Sequence, residues 1–117
     1  MIKKSLGQHF LLDPRIIEKI LSIAKITPAD QVLEIGPGRG LMTERIVGKT
    51  ARVVAVEKDR ELIEPLRKKL GPFPHLTLIE ADFLEINLEK TLGPGKWKVV
   101  ANLPYNIATE AVFKLLG

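Results

Sequence analysis

The 117-residue sequence contains no cysteine, so disulfide bonds and thiolate metal sites are excluded. No apolar run approaches the roughly 20 residues that a membrane-spanning helix needs. The opening residues Met1-Ile2-Lys3-Lys4 are not followed by the long apolar core of a signal peptide. The sequence also lacks repeats, low-complexity tracts and the residue groups typical of a Ser/His/Asp triad or a metal cluster. We therefore expect one small cytoplasmic domain without membrane segments.

The composition is that of an ordinary globular domain with a basic charge balance. Hydrophobic residues make up 45% of the chain and charged residues 27%. The net charge is +4 and the pI is near 9.5, which permits a phosphate-rich partner through electrostatic steering and counterion release. Many basic proteins bind no nucleic acid, so charge alone does not assign this one.

The most informative stretch is a strand-like run that ends in alternating glycines. Residues 32–35 are mostly apolar, Gly36, Gly38 and Gly40 follow, and amphipathic spacing resumes over Leu41–Val47. This pattern predicts a buried parallel strand, a tight turn and a helix. Three glycines in five residues indicate a backbone that turns sharply and admits a ligand at the helix N-terminus. A tight strand-to-helix turn without a ligand explains the glycines alone about as often.

The position of an acidic residue favours a ribose-bearing ligand. Glu57 ends the next apolar run, about twenty residues beyond Gly36, where a carboxylate reaches a ribose hydroxyl. The dinucleotide fingerprint places glycines at the first, third and sixth positions, but the sixth position here is Leu41. A nucleoside cofactor without a pyrophosphate therefore fits better than a dinucleotide.

The remaining elements alternate between helix and strand. Asp13-Pro14 predicts a helix start, and Asp59 predicts another, whose first turn Pro65 should distort. His75 is expected at the surface, 84–92 as loop and short helix, and 107–116 as a final helix. Four strands are predicted, at 32–35, Arg52–Glu57, Leu76–Glu80 and Trp97–Ala101. This order is typical of a doubly wound parallel α/β sheet.

Functional residue types follow four successive strands. Gly36, Glu57, Asp82 and Asn102 lie at or just past the strand ends, and ligands of such sheets bind at the carboxyl ends of the strands. Asp82 could accept a hydrogen bond from an exocyclic amine, although a loop-capping aspartate is the simpler interpretation.

The segment Asn102-Leu103-Pro104-Tyr105 suits a planar amino group. An asparagine oxygen and a nearby backbone carbonyl, held by a proline of fixed φ, form two acceptors for two N–H donors. Tyr105 offers a face on which a flipped-out base could stack. A strand-terminating turn with a core tyrosine is the alternative.

These pieces together resemble the ribosomal RNA adenine dimethyltransferase family. The resemblance implies a Rossmann-like class I methyltransferase fold that uses S-adenosylmethionine. It covers nearly the whole chain, and its first and last motifs are highly specific in combination. The matching residues are Gly7-Gln8-His9-Phe10-Leu11, Glu34-Ile35-Gly36-Pro37-Gly38-Arg39-Gly40, Glu57, Ala81-Asp82-Phe83 and Asn102-Leu103-Pro104-Tyr105-Asn106-Ile107.

The resemblance also implies roles for individual residues. An arm, residues 1–12, would close over the methionine part of the cofactor through His9, where many members carry asparagine, and Leu11. Glu57 would bind the ribose hydroxyls, and Asp82 would contact the adenine. The cofactor contacts implied are His9, Leu11, Gly36, Gly38, Glu57, Asp82, Phe83 and Asn102. Asn102, Leu103, Pro104 and Tyr105 would hold the target adenosine.

The implied reaction is dimethylation of two adjacent adenosines at N6 near the 3′ end of small-subunit (16S) rRNA during ribosome biogenesis. The partner would be that rRNA or the immature small subunit, and the methyl transfer would be direct, so positioning matters more than a strong base. The alternatives are a non-catalytic cofactor- or RNA-binding fragment and a large-subunit rRNA adenine N6-methyltransferase. Gly7-Gln8 and Leu103 favour the small-subunit enzyme, and Leu41 disfavours a dinucleotide-dependent oxidoreductase.

Family members are much longer than this chain and carry further strands and a small helical RNA-gripping domain. We therefore expect residues 1–117 to be the N-terminal part of the cofactor-binding catalytic domain, inactive by itself. Its fourth strand would form a sheet edge through which the chain could self-associate.

Overall fold

The computed structural model describes residues 14–101. The predicted arm, the helix start at Asp13, the motif at 102–105 and the helix at 107–116 lie outside these residues. The elements are α1 (Pro14–Ala24), β1 (Gln31–Ile35), α2 (Leu41–Val47), β2 (Arg52–Glu57), α3 (Arg60–Leu70), β3 (Leu76–Glu80), a 3₁₀ turn (Phe83–Glu85), α4 (Leu88–Leu92) and β4 (Trp97–Ala101).

The four strands form one parallel sheet in the order β3-β2-β1-β4. The predicted α/β architecture is confirmed, and three of the four predicted strands have the predicted bounds. The chain moves outward from β1 to β3 and then crosses back to place β4 on the other side of β1. Ile35 of β1 is in register with Val56 of β2 and Ala101 of β4. The order of strands therefore reverses beside β1, where ligands of such sheets bind.

Hydrophobic side chains fill both faces of the sheet, which is why β1 and β2 are almost continuously apolar. The first face is covered by α1, α2 and α3, and the second by the 3₁₀ turn and α4. The core of the first face includes Ile17, Leu21, Val32, Met42, Ile46, Val53, Ala55, Ile63, Leu66, Leu70 and Val100. The core of the second face is Leu33, Ile35, Val54, Val56, Phe83 and Leu92.

Helix α3 begins at its predicted cap and runs through a proline. The Asp59 carboxylate accepts a hydrogen bond from the backbone N–H of Glu61 at 2.9 Å. The Asp59 carbonyl accepts from both Leu62 and Ile63 at 3.0 Å, which tightens the first turn. Pro65 lies on the exposed side, and the helix continues past it to Leu70.

His75 is half-buried, so its expected place at the surface is wrong. Its Nε2 lies 2.7 Å from the carbonyl oxygen of Val47, the last residue of α2. Carbonyls at a helix C-terminus have no partner within the helix. The ring therefore links the start of β3 to the end of α2, a contact between residues distant in sequence.

Candidate cofactor site

The turn between β1 and α2 requires glycine at three positions. Gly36, Gly38 and Gly40 have φ values of 72°, 59° and 84°, a left-handed region that other residues adopt at a cost. The Gly36 N–H donates to the Val56 carbonyl at 2.9 Å and extends the pairing of β1 with β2. The predicted tight glycine turn is thus present at the carboxyl edge of the sheet.

The second and third glycines serve different purposes. A Cβ atom at Gly40 would collide with Leu66 Cδ2 and lie 3.2 Å from Leu70 Cδ1, so Gly40 allows α3 to pack against the start of α2. A Cβ atom at Gly38 would find its nearest neighbour among residues 14–101, the Gly36 carbonyl oxygen, at 4.0 Å. Within that part of the chain, Gly38 therefore has space in front of it where a ligand could approach.

The Glu57 carboxylate holds the glycine turn against the end of β2. Its Oε1 accepts from the Gly38 N–H and its Oε2 accepts from the Asp59 N–H, both at 3.0 Å. The side chain is only 6% exposed. Each carboxylate oxygen accepts more than one hydrogen bond, so vicinal hydroxyls could still bind there. Sequence reasoning predicted the ribose contact but missed this link to the turn.

A second acidic residue, Glu34, lies beneath the same turn. It is 2% exposed, and its Oε1 accepts a hydrogen bond from the Thr43 hydroxyl at 2.5 Å. Burial raises the pKa of Glu34 to about 7; the Thr43 hydrogen bond opposes this shift and the charge of Glu57 adds to it. Sequence reasoning assigned neither Glu34 nor Thr43 a role. The available signal was a charged residue inside an otherwise apolar strand.

The end of β3 lies beside Glu57. The Ala81 N–H donates to the Glu57 carbonyl at 3.0 Å. Asp82 Oδ1 accepts from the Leu84 N–H at 3.0 Å and caps the 3₁₀ turn, so the capping interpretation describes one of its contacts. Phe83 is buried in the core of the second face. The contact of Asp82 with an adenine and the role of Phe83 in cofactor binding remain predictions.

The end of β4 completes the edge. Ala101 is in register with Ile35, so β4 ends at the same edge of the sheet as β1. The predicted contacts of His9, Leu11, Asn102, Leu103, Pro104 and Tyr105 lie outside the described residues.

Within residues 14–101, no group of three His, Cys, Asp or Glu side chains is arranged to hold a metal ion. No helix in that part of the chain is long and apolar enough to cross a membrane.

The basic cluster at the end of α3 is partly neutralised. Arg67 pairs with Glu64 at 2.8 Å, and Lys69 pairs with Glu44 at 2.5 Å. Lys68, between them, is exposed. Two of the three cations are thus engaged within the protein.

The whole chain, residues 1–117, matches the model of the ribosomal RNA adenine dimethylase family. The chain belongs to this family. The resemblance inferred from the motifs is therefore confirmed. The described fold is that of the class I S-adenosylmethionine-dependent methyltransferases, as its structural relatives show.

One relative is the ribosomal RNA small subunit methyltransferase A of Geobacter metallireducens, which is 43% identical over 117 residues. The match covers 97% of this chain and 42% of the relative, so this dimethylase-family chain spans less than half of the relative's length.

Two solved structures are similar to the fold. A dimethyladenosine transferase from Plasmodium falciparum has a TM-score of 0.73 and 30% identity, over 89% of this chain and 37% of that one. The 23S rRNA methyltransferase ErmE has a TM-score of 0.74 and 33% identity, over 87% of this chain and 40% of that one. The fold thus occurs both in a protein named for dimethyladenosine transfer and in one named for methylation of 23S rRNA.

Proposed function

We propose that this dimethylase-family chain is the N-terminal part of the catalytic domain of a small-subunit rRNA adenine dimethyltransferase that uses S-adenosylmethionine. The substrate would be two adjacent adenosines near the 3′ end of the rRNA, methylated at N6 during ribosome biogenesis in the cytoplasm. The observation that carries this proposal is the hydrogen bond from Gly38 to Glu57, which brings a glycine turn and a buried ribose-type acceptor together at the switch point of the sheet.

The described residues fit a nucleoside cofactor. Among the described residues, none crowds the space in front of the Gly38 Cα, and Glu57 presents a carboxylate with acceptor capacity beside it. Glu57 would hold the ribose hydroxyls, and the turn at 36–40 would flank the methionine part. Asp82, at the neighbouring strand end, would accept from the adenine amino group. When bound, the cofactor would supply an electrophilic methyl group on a sulfonium.

The remaining chemistry is assigned to the motif after β4. The Asn102 side-chain oxygen and a nearby backbone carbonyl would accept hydrogen bonds from the two N–H groups of the adenosine N6 amine. This arrangement would direct the nitrogen lone pair away from the ring and toward the methyl group. Tyr105 would stack on the extruded base. His9 and Leu11 would close over the methionine part, so the chain's own residues bind and orient both reactants.

The RNA partner is supported by exposed cations near the site. Arg39 of the glycine turn and Lys58 and Arg60, which follow β2, are exposed. Lys68 near the end of α3 is also exposed, and Lys3 and Lys4 are further cations in the sequence. Phosphate contacts by such cations would make the affinity for small-subunit rRNA fall as salt rises.

A large-subunit rRNA methyltransferase is the second candidate function, because ErmE is as similar in fold as the dimethyladenosine transferase. Gly7-Gln8 and Leu103 favour the small-subunit substrate, as does the 43% identity with the Geobacter relative. A cofactor- or RNA-binding fragment without turnover is the third.

Two experiments test the proposal. Calorimetry of the 117-residue chain should show binding of S-adenosylmethionine and none of NAD; the reverse would contradict the cofactor assignment. In a protein extended to the length of the relatives, Asn102→Ala should abolish methylation with a smaller loss of cofactor affinity. Tyr105→Ala should mainly reduce turnover of the RNA. Near-normal single-turnover methylation by Asn102→Ala would refute its role at the amine.

A further inference from the structure

Glu34 is a buried carboxyl beside the candidate site for which the proposed reaction has no role. It lies two residues before Gly36, on the face of the sheet that α1, α2 and α3 cover. Its register partners there are Ala55 and Val100. Its hydrogen-bond partner Thr43 is fully buried in the first turn of α2. This hydrogen bond spans the base of the glycine turn and joins the strand before it to the helix after it.

The charged group that acts on the Glu34 carboxyl is another carboxylate. On the surrounding elements within residues 14–101, Glu57 of β2 is buried and disfavours a second negative charge nearby. Lys98 of β4 and Glu44 and Arg45 of α2 each form an ion pair elsewhere, with Asp30, Lys69 and Glu18 respectively. The charged side chains of α1 and α3 are exposed. Burial and Glu57 together explain why the pKa of Glu34 rises to about 7.

We propose that a positively charged nucleoside cofactor, on binding at the glycine turn, expels a proton from Glu34. The inference rests on the proposed function, since S-adenosylmethionine carries a sulfonium and an ammonium group in the part that the turn would flank. The proton passes to solvent, and the carboxylate that remains continues to accept the Thr43 hydrogen bond. A cation bound near the buried Glu34 carboxyl favours its ionised form.

The coupling is reciprocal. Ionisation of Glu34 must raise the binding constant of the cofactor by the same factor by which bound cofactor raises the ionisation constant of Glu34. The affinity for S-adenosylmethionine should therefore rise with pH below about 7 and level off above it. Below that pH the increase should approach tenfold per pH unit. Glu34 would act as a buried counter-charge, while Glu57 makes the direct contact with the ribose.

Calorimetry of S-adenosylmethionine binding in buffers of different ionisation enthalpy measures the number of protons released. At pH 7 the wild-type chain should release about half a proton more than Glu34→Gln, because a group with a pKa of about 7 is half protonated there. Titration of the cofactor's own amine cancels in this comparison. Glu44→Gln is the matched control: it removes a carboxylate next to Thr43 that pairs with Lys69 at the surface, and it should release as many protons as wild type.

A second measurement does not depend on a folded variant. The carboxyl carbon signal of Glu34, followed by NMR at pH 7, should move from an intermediate position to that of the ionised form when S-adenosylmethionine is added. The neutral nucleoside 5′-methylthioadenosine should leave it in place. Cofactor binding with equal proton release in wild type and Glu34→Gln, or with an unmoved signal, would overturn this inference alone. Failure to bind the cofactor at every pH would overturn the proposed function and, with it, this inference.

Discussion

The backbone N–H of Gly38 donates to Oε1 of Glu57 across 19 residues of sequence, at 3.0 Å. The carboxylate that would bind the ribose therefore also fixes the shape of the turn that would flank the rest of the cofactor. Loss of this side chain should affect both the contact with the ligand and the preorganisation of the loop, and the two effects can be measured separately.

Glu57→Ala should weaken binding of S-adenosylmethionine much more than Glu61→Ala. Glu57 is buried at the strand end, whereas Glu61 is exposed on α3. A lost hydrogen bond to a charged group is worth about 1.5–3 kcal/mol, or roughly a ten- to hundredfold change in Kd. Calorimetry on the two variants makes the comparison. Equal losses of affinity would remove the ribose assignment.

The same substitution should loosen the turn in the absence of cofactor. Amide hydrogen exchange at Gly38 should accelerate in Glu57→Ala, because the N–H loses its acceptor. Exchange in Glu61→Ala should match wild type, since that side chain does not contact the turn. An unchanged Gly38 exchange rate in Glu57→Ala would show that the turn holds its shape without the carboxylate.

Glu34→Gln should change how stability depends on pH. The unfolded carboxyl ionises near 4.5 and the folded one near 7, so between these values the folded state holds a proton that the unfolded state has lost. The contribution of Glu34 to folding stability therefore falls as pH rises from 4.5 to about 7, and above that range it stays at its lowest level and no longer changes with pH. At 1.36 kcal/mol per pKa unit the change is about 3 kcal/mol.

The Gln variant lacks this penalty, so its stability relative to wild type should improve as pH rises through the same window. Urea unfolding at pH values below, within and above the window gives the comparison. The control Glu44→Gln should follow the wild-type curve. Parallel curves for wild type and Glu34→Gln would mean that the Glu34 carboxyl titrates at its ordinary value.

The sequence predicted those features that depend on local pattern. The bounds of β2, β3 and β4, the Asp59 cap and the glycine turn all follow from periodicity, capping chemistry and the conformational freedom of glycine. The order of the strands is that of the class I methyltransferase fold, which the resemblance and not the local pattern implied.

Contacts between distant elements were not predictable in this way. The position of Glu34 in an apolar strand indicates only that an ionisable group is buried. Its hydrogen-bond partner Thr43 becomes apparent only in the folded structure, where α2 packs on β1. The same holds for the packing of Gly40 against Leu66 and for the bond from His75 to Val47. Such pairings depend on helix position over the sheet, which no short stretch of residues encodes.

Gly40→Ala should mainly reduce the stability of the fold, whereas Gly38→Ala should mainly reduce the affinity for the cofactor. Both positions have positive φ, which costs an alanine about 1–2 kcal/mol. Only Gly40→Ala also forces a methyl group into Leu66, and overpacking adds about 1–3 kcal/mol. Gly40→Ala should therefore be the less stable variant in urea unfolding, and Gly38→Ala should show the larger loss of cofactor affinity per unit of stability lost. Equal stabilities would show that α3 moves to accommodate the methyl group.

The last prediction concerns β4, which lies at the edge of the sheet in the described part of the chain and pairs there with β1. No other strand within residues 14–101 pairs with its outer side, and Val99 and Trp97 are only half-buried. Such an edge recruits another chain unless charge opposes pairing. Lys98 opposes it weakly, because its ammonium is held by Asp30 at 2.9 Å.

The 117-residue chain should therefore self-associate through β4 or be marginally stable, and it should not methylate rRNA without the additional length of its relatives. Val99→Lys should shift sedimentation profiles toward monomer, because a charge on the edge strand disfavours intermolecular pairing. Ile23→Lys adds the same charge to α1 at a side chain that is 72% exposed, and it should leave the association unchanged. A stable wild-type monomer at high concentration would contradict the edge argument, and robust rRNA methylation by this chain would show that the additional length is dispensable for catalysis.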